Sequence, residues 1–386
     1  MTYDFIIYGS GLSSKLLALA LSRSNFKSLI ITNNKLKTNK TNLVTFLSDG
    51  SLKYMSEVLE SKDIFNKSEN IEKLNCGHLY SKKETKFEFK SQKHSILGKV
   101  VPNVIIDELL NNKIRSKSEY IHITDYQEVI VKNDDNKIII KDKLGEIRTA
   151  SLLFYSSSSQ DNDLLKNFDF VEKKLNQIAI SASVNIQRLQ QNIAYQLFTT
   201  DGPVALLPIK DDKASMVWSL RKNSPILKLS KNNLESHLIS LFKSYINDLE
   251  IINMQTQKLS FSYAKKIYES KTVLIGNIAH NIHPIAGQGF NLTIKDISKI
   301  VFYINKNYSL GLELNSNQTL ESFSNNRKFD NFTFSFGTLA MENIFSSENN
   351  IIRFLTSKGL SFVDNSKSIK NIFIEKATGK YNFQDY

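Results

Sequence analysis

Thr272 to Asp296, with the sequence TVLIGNIAHNIHPIAGQGFNLTIKD, decide the predicted fold of this chain. Val273 to Gly276 predict a short buried strand, and an apolar pattern with helical spacing starts at Phe290. The loop between them contains Gly287 and Gly289, which let the main chain approach a flat ligand where a Cβ atom would collide. Such an arrangement presents free backbone N–H groups to an anionic or electron-rich ligand. The stretch therefore predicts a ligand-binding loop.

The N-terminus predicts a second ligand-binding turn. Tyr3 to Tyr8 form a predicted strand, the sequence GSGLSS follows, a helix extends to about Arg23, and Lys27 to Thr32 predict another strand. This order is typical of the dinucleotide-binding βαβ unit, in which a pyrophosphate lies at the helix N-terminus. Ser14 replaces the third glycine of GxGxxG, and Thr32 or Asn33 stands where a carboxylate normally binds the ribose.

The sequence GNIAHNIHPIAGQGFNL, residues 276–292, resembles the second flavin motif of the aromatic-ring flavin monooxygenases, GD-AAH-x-x-HP-x-x-GQG-x-N. Its wording is most similar to the ubiquinone-biosynthesis hydroxylase branch. The resemblance implies that the glycine loop lies along the flavin ring and that the helix N-terminus faces its pyrimidine edge. The FAD-binding residues that we expect from both turns are Gly9, Gly11, Leu12, Ser14, Asn33, Asn277, Pro284, Gly287, Gln288, Gly289, Phe290 and Asn291.

A second resemblance to these hydroxylases lies in the middle of the chain. Gly202 to Pro208 match the pattern GP-x-A-x-LP, and Met216 to Ser219 follow as MVWS. In the family this sheet forms a wall of the substrate chamber over the flavin. Two strands with an apolar run suit such a wall, whereas we expect Trp218 itself to be a core residue.

The predicted fold class is α/β, with a Rossmann-like FAD-binding domain interleaved with a mixed-sheet substrate domain, similar to p-hydroxybenzoate hydroxylase, and with C-terminal helices. The predicted FAD-binding domain comprises residues 1–74, 95–174 and 265–310. The predicted substrate domain comprises residues 75–94 and 175–264, and residues 311–386 form the C-terminal helical segment.

The resemblance implies a monooxygenase in which reduced flavin reacts with O2 to form a flavin peroxide. That species hydroxylates the aromatic ring of a polyprenyl-phenol intermediate of ubiquinone biosynthesis. The cofactor carries the chemistry, so no side chain is singled out as catalytic. NAD(P)H or another reductant is the expected electron donor, and proteins of ubiquinone biosynthesis are candidate partners.

Several family positions have lost their charge and favour an alternative hypothesis. Neutral residues stand at three places where the family has carboxylates: after the second strand, at Ser156 to Ser159 and at Asn277. In addition, no arginine occurs between Arg23 and Arg115. The alternative is a non-catalytic relative with weakened or lost FAD binding, which binds a lipid intermediate or a partner hydroxylase. A flavin oxidoreductase that acts on another apolar substrate is a third hypothesis.

Composition limits the remaining classes. The 386 residues are 41% hydrophobic, which is enough for a substantial core, and no apolar run predicts a membrane-spanning helix. Met1 to Gly11 read as a strand entering a turn and not as a signal peptide, and Cys76 is the single cysteine, so we expect a cytoplasmic protein. His280 and His283 lack a nearby third ligand, so no metal site is predicted.

The formal net charge is +12, carried mostly by lysines that are spread along the whole chain. Such a charge reflects either a compositional bias of the source or attraction to an anionic membrane surface. Peripheral association with the inner face of a membrane would suit an apolar substrate. Nucleic acid is not a predicted partner, because the basic residues form no concentrated stripe.

Overall fold

A computed structural model describes residues 1–32, 43–80, 83–90, 96–125, 130–133, 137–141, 146–157, 163–282 and 289–345. Two large sheets dominate this part of the chain, one of six strands and one of eight, and two three-stranded sheets accompany them. The helices are α1 (Leu12–Ser22), α2 (Asp49–Leu59), α3 (Asp63–Asn66), α4 (Asn103–Ser116), α5 (Lys231–Leu241), α6 (Gly289–Ser309) and α7 (Asn317–Phe345).

The six-stranded sheet is mostly parallel and forms the centre of the dinucleotide-binding unit. Its members are β1 (Phe5–Tyr8), β2 (Ser28–Thr32), β8 (Ile121–Asp125), β12 (Leu152–Tyr155), β18 (Tyr268–Glu269) and β19 (Thr272–Leu274), in the order β18-β19-β12-β1-β2-β8. All residues of β1, β2 and β12 are buried, as expected for parallel strands covered on both faces. Strand β1 lies between β2 and β12, so the chain reverses its direction of progress at this point, where α/β proteins bind ligands.

The eight-stranded sheet is largely antiparallel. It consists of β5 (Lys73–Tyr80), β6 (Lys83–Lys90), β13 (Phe170–Gln187), β14 (Ile193–Thr199), β15 (Gly202–Ile209), β16 (Lys213–Arg221), β17 (Asp248–Ala264) and β20 (His280–Asn281), in the order β20-β17-β13-β16-β15-β14-β5-β6. One face packs against α5 in a core of its own. Strand β20 ends directly before the region of the glycine loop, so this sheet is joined to the dinucleotide-binding unit there.

The two small sheets complete the strands. Strands β3 (Val44–Ser48), β4 (Glu69–Ile71) and β7 (Gly98–Pro102) form one, and β9 (Ile130–Asn133), β10 (Ile138–Lys141) and β11 (Ile147–Ala150) form the other. Across the described ranges, no helix is long and apolar enough to cross a membrane.

The predicted fold class is confirmed: a Rossmann-like parallel sheet alternates along the chain with a mixed sheet, and helices follow. The division into domains stays a prediction. The β-rich composition of Asn75 to Lys90 predicts a hairpin, which is present as β5 and β6. The apolar spacing of Leu47 to Leu59 predicts a helix; α2 begins two residues later, because Leu47 and Ser48 belong to β3 and the Ser48 hydroxyl caps α2. A further helix, predicted from the sequence of residues 351–362, lies outside the described residues.

Candidate functional site

The C-terminal edge of the parallel sheet brings the N-terminal glycine turn against the end of β12. Gly9 has a φ of +123°, and a Cβ atom there would lie 3.0 Å from the backbone carbon of Ser156 and 3.0 Å from the backbone nitrogen of Ser157. An L-residue rarely adopts this φ, and backbone atoms cannot move aside cheaply. Gly9 is therefore needed for the close packing of the N-terminal turn against the backbone of Ser156 and Ser157.

Gly11 has a different role, because it faces open space. It is the N-cap of α1 with an ordinary φ of −72°, and no side chain within the described residues caps the helix. Apart from its chain neighbours, no atom of the described residues lies within 4 Å of the position that a Cβ atom would take at Gly11, and the first turn of α1 contains no acidic residue. The positive end of the helix dipole and its free N–H groups are thus available to an anion. Leu12 is the first, half-buried residue of this helix.

The second flavin-motif region meets the same edge. Gly276 has a φ of +84°, and its missing Cβ atom would lie 2.9 Å from the Ser13 hydroxyl oxygen on α1. Asn277 follows it with an exposed side chain. The structure therefore brings Gly11, Gly276 and Asn277 to one end of the sheet, although 264 residues lie between Gly11 and Gly276 in the sequence.

The end of β2 is neutral, as expected from the sequence. The Thr32 hydroxyl donates a hydrogen bond to the Ser10 hydroxyl oxygen over 3.0 Å, which joins β2 to the glycine turn. Asn33, the other candidate for the ribose position, lies outside the described residues. Hydroxyl groups therefore stand at this edge where related sites use a carboxylate.

Below the turn, α1 is attached to α4 by a buried ion pair that sequence reasoning missed. Lys15 donates a hydrogen bond to the Asp107 carboxylate, and the Asn111 amide donates to the other Asp107 oxygen over 3.1 Å. Lys15 and Asp107 are both buried. Ser14, one residue earlier, is also fully buried. A lysine inside an apolar helix was the available signal, but the pairing with a residue 92 positions away was not readable.

The start of α6 is attached to β3 by Asn291. Its amide nitrogen donates to the Phe46 carbonyl over 2.7 Å, and its side-chain oxygen accepts from the Ser48 N–H over 2.9 Å. Asn291 is one of the residues expected to bind FAD, and the sequence did not predict that its side chain joins α6 to β3. Phe290 is half-buried and packs against the main core, and Gly289 is the first residue of α6. Three other predicted residues lie outside the described residues: Pro284, Gly287 and Gln288.

The two faces of the eight-stranded sheet differ in composition. Trp218 is fully buried on the face that packs on α5, where its ring stacks on His237 with centroids 5.7 Å apart. This confirms that Trp218 is a core residue. The opposite face carries smaller residues, including the cross-strand neighbours Ser181, Val217 and Ala205. The sheet thus offers a face with short side chains, as a wall of a substrate chamber requires.

Two other side chains with reactive chemistry are accounted for. Cys76 is a buried free cysteine, and burial raises the pKa of its thiol, which makes it a poor nucleophile. His280 accepts or donates a 2.6 Å hydrogen bond with Asp296. In the part of the chain that the structure describes, no group of three or more His, Cys, Asp and Glu side chains could hold a metal ion.

Comparison with known proteins agrees with this geometry. Residues 168–328 match the family model described as an FAD binding domain. The chain is 25% identical over 206 residues to ubiquinone hydroxylase UbiL of Rhodospirillum rubrum, an alignment that covers 53% of this chain and 48% of that protein. It is 24% identical over 298 residues to 3-demethoxyubiquinol 3-hydroxylase of Escherichia coli, with 76% of each protein covered. The chain thus spans about half the length of the first relative.

The structure of p-nitrophenol 4-monooxygenase PnpA from Pseudomonas putida has the same fold, with a TM-score of 0.79, 11% identity and full coverage of both chains. The parallel sheet with its glycine turns and the neighbouring mixed sheet thus form the fold of that monooxygenase, and part of the chain matches an FAD binding domain. In sequence, the chain is similar to these hydroxylases of ubiquinone biosynthesis. These relatives support the hydroxylase hypothesis and not the non-catalytic alternative.

Proposed function

We propose that this protein is an FAD-dependent monooxygenase that hydroxylates the aromatic ring of a polyprenyl-phenol intermediate in ubiquinone biosynthesis. The observation that carries the proposal is the open N-terminus of α1 at Gly11, next to the Gly276 turn at the C-terminal edge of the parallel sheet. That edge is where this fold class binds a dinucleotide. The family match over residues 168–328 supports the same cofactor.

The described residues fit FAD at this edge. A Cβ atom at Gly11 would occupy otherwise open space, and the uncapped helix end suits a pyrophosphate. Hydroxyl groups of Ser10 and Thr32 can bond to the ribose in place of a carboxylate. The residues that we propose to hold FAD are Gly9, Gly11, Leu12, Ser14, Asn33, Asn277, Pro284, Gly287, Gln288, Gly289, Phe290 and Asn291.

When bound, FAD supplies the activation of O2 and the oxygen-transfer chemistry. The chain's own residues provide binding and orientation. The N–H groups at the start of α1 bind negative charge, Gly9 keeps the turn close to β12, and Asn291 fixes the first turn of α6. The short side chains of Ser181, Val217 and Ala205 on one face of the sheet would leave room for an aromatic ring.

The electron donor and the surroundings of the enzyme are further parts of the proposal. NAD(P)H or another diffusible reductant would reduce the flavin. The net charge of +12 would favour an anionic membrane surface, where a polyprenylated substrate is dissolved. Proteins of the same biosynthetic route are the proposed partners.

The reaction is tested with FAD-loaded protein, a chemical reductant, isotopically labelled O2 and a short-chain polyprenyl phenol. We expect a product that has gained one labelled oxygen atom on the ring, measured by mass spectrometry. The same phenol without its prenyl chain is the matched control and should react more slowly. Absence of labelled product from protein that does contain FAD would refute the proposed reaction while leaving cofactor binding intact.

A further inference from the structure

One carboxylate lies in the protein interior between three elements that surround the second flavin-motif region. Asp296, in α6, is 1% exposed. One of its oxygens is 2.6 Å from the His280 ring Nε2 in β20, and the other accepts from the Arg327 Nε in α7 over 2.7 Å. The Asn331 amide, one helical turn after Arg327, also donates to Asp296 over 3.1 Å.

The cluster is charged despite its burial. Burial would raise the pKa of the Asp296 carboxyl, but the charges and hydrogen bonds of His280 and Arg327 lower it below its ordinary value. Arg327 is also 1% exposed, and it donates to Asp330 and Asn331 over 2.8 Å each. Asp296 therefore stays ionised, and each of its partners is held in one orientation.

The position of this cluster along the chain is specific. His280 lies three residues before position 283, and Asp296 lies two helical turns after Gly289. The hydrogen bond between them therefore connects the described residues on the two sides of positions 283–288. Asn291 adds a second tie between the start of α6 and the backbone of Phe46 and Ser48. The end of β20 and the first turns of α6 are thus both fixed to the rest of the fold.

An apolar cluster could join the same elements without the desolvation of two charges. Replacing buried ion pairs by packed apolar side chains is often neutral or stabilising, so a buried pair is weak support for a purely stabilising role. Its directional bonds do, however, restrict the elements to one relative geometry. Neutral residues stand at Thr32, Ser156 and Asn277, where the family has charged residues that contact the cofactor. With fewer charged contacts, binding of the cofactor depends more on the precise placement of the remaining groups.

We propose that His280, Asp296 and Arg327 are positioning residues that fix the end of β20 and the first turns of α6 relative to the parallel sheet. The functional part of this inference rests on the proposed function: the same geometry preorganises the FAD site. None of the three residues is proposed to touch the reacting atoms.

The chain supplies a matched control on the same pair of helices. The Asn307 amide in α6 donates to the Thr319 hydroxyl in α7 over 2.9 Å, and both residues are buried. This bond lies at the opposite end of the α6–α7 contact from Asp296. An Asn307→Ala variant therefore weakens the joining of the two helices without touching the cluster.

The test is hydrogen–deuterium exchange by mass spectrometry on the full apo chain, comparing Asp296→Asn with Asn307→Ala. We expect exchange in peptides from residues 276–282 and 289–294 to accelerate by about tenfold or more in Asp296→Asn, and to stay within about twofold of wild type in Asn307→Ala. Equal acceleration in both variants, or none in Asp296→Asn, would overturn the proposal.

A gentler pair of variants keeps the test decisive if Asp296→Asn does not fold. His280→Gln places an amide nitrogen near the original Nε2 and should retain wild-type exchange, whereas His280→Leu should accelerate it in the same peptides. If the two variants exchange alike, the hydrogen bond to Asp296 has no positioning role.

An FAD titration of the same proteins separates this inference from the proposed function. We expect the dissociation constant to rise about tenfold in His280→Leu and to be unchanged in His280→Gln and Asn307→Ala. An unchanged constant in His280→Leu would overturn the link to the FAD site. A wild-type protein that binds no FAD would refute the proposed function, and the exchange measurements would still decide the positioning role.

Discussion

The two glycines of the N-terminal turn provide the sharpest test of the dinucleotide site, because the structure assigns them opposite roles. At the start of α1, a Cβ atom on Gly11 would meet no atom of the structurally described ranges beyond its chain neighbours, and Gly11 has an ordinary φ of −72°. An alanine at this position loses some N-cap preference but gains from the reduced freedom of the unfolded chain. We expect Gly11→Ala to change the free energy of unfolding by less than about 1 kcal/mol.

The effect of Gly11→Ala on FAD should be large. The added methyl group would occupy the space in which a pyrophosphate approaches the helix N–H groups. Hydrogen bonds to charged groups contribute about 1.5–3 kcal/mol each, so the loss of one raises the dissociation constant for FAD roughly tenfold to hundredfold. The assay is a titration of apo protein with FAD, in which the quenching of flavin fluorescence reports binding.

Gly9→Ala is the matched variant and, unlike Gly11→Ala, should greatly lower the free energy of unfolding. Its φ of +123° costs an L-residue about 1–3 kcal/mol, and the Cβ atom would press on the Ser156 and Ser157 backbone at 3.0 Å. With about 1–3 kcal/mol for overpacking, the total loss of unfolding free energy is roughly 2–6 kcal/mol, measured by urea unfolding of the apo protein. The reasoning is refuted if Gly11→Ala binds FAD as tightly as wild type, or if Gly9→Ala keeps wild-type stability.

Three further predictions concern separate parts of the molecule. Asn277→Asp restores a carboxylate at an exposed position of the cofactor edge and should tighten FAD binding by about tenfold, whereas weaker binding in the titration would show that added negative charge is not accepted there. Val217→Phe should raise the KM for the phenol, because the larger side chain fills the face with short side chains. Trp218→Phe, on the opposite face, should lower the melting temperature and leave KM unchanged. Equal effects of the two variants on KM would contradict the assignment of the faces. Burial, with a smaller contribution from Tyr245, raises the pKa of Tyr195 to about 12. A tyrosine in the unfolded chain ionises near pH 10, so above about this pH the unfolded state loses its proton while folded Tyr195 still keeps it. The free energy of unfolding is therefore unaffected by Tyr195 below about pH 10 and falls as the pH rises toward about 12. Tyr195→Phe should lose less stability than wild type between about pH 9 and 11 in urea unfolding, and an equal loss would contradict the cause.

The parts of the fold that depend on local sequence could be predicted. The GSGLSS turn lies between a buried strand and an apolar helix, and this order alone predicts the βαβ unit that the structure contains. The apolar pattern after Phe290 likewise predicts α6. These features depend on residues a few positions apart, whose spacing is visible in the sequence.

The contacts that hold the candidate site together could not be predicted in the same way. Asn291 bonds to the backbone at Phe46 and Ser48, about 245 positions earlier, and Lys15 pairs with Asp107. Such pairings depend on how whole elements pack, and no local pattern identifies the partner. Helical spacing also failed to show that Leu47 belongs to strand β3, because an apolar residue near a strand–helix junction fits both patterns.

The visible absorption spectrum of the freshly purified protein tests most directly whether this chain binds FAD, as proposed for the C-terminal edge of its parallel sheet. We expect a bound-flavin spectrum, or its appearance on adding FAD to the apo protein, at close to one FAD per chain. A colourless protein that takes up no FAD even at high concentration would contradict FAD binding.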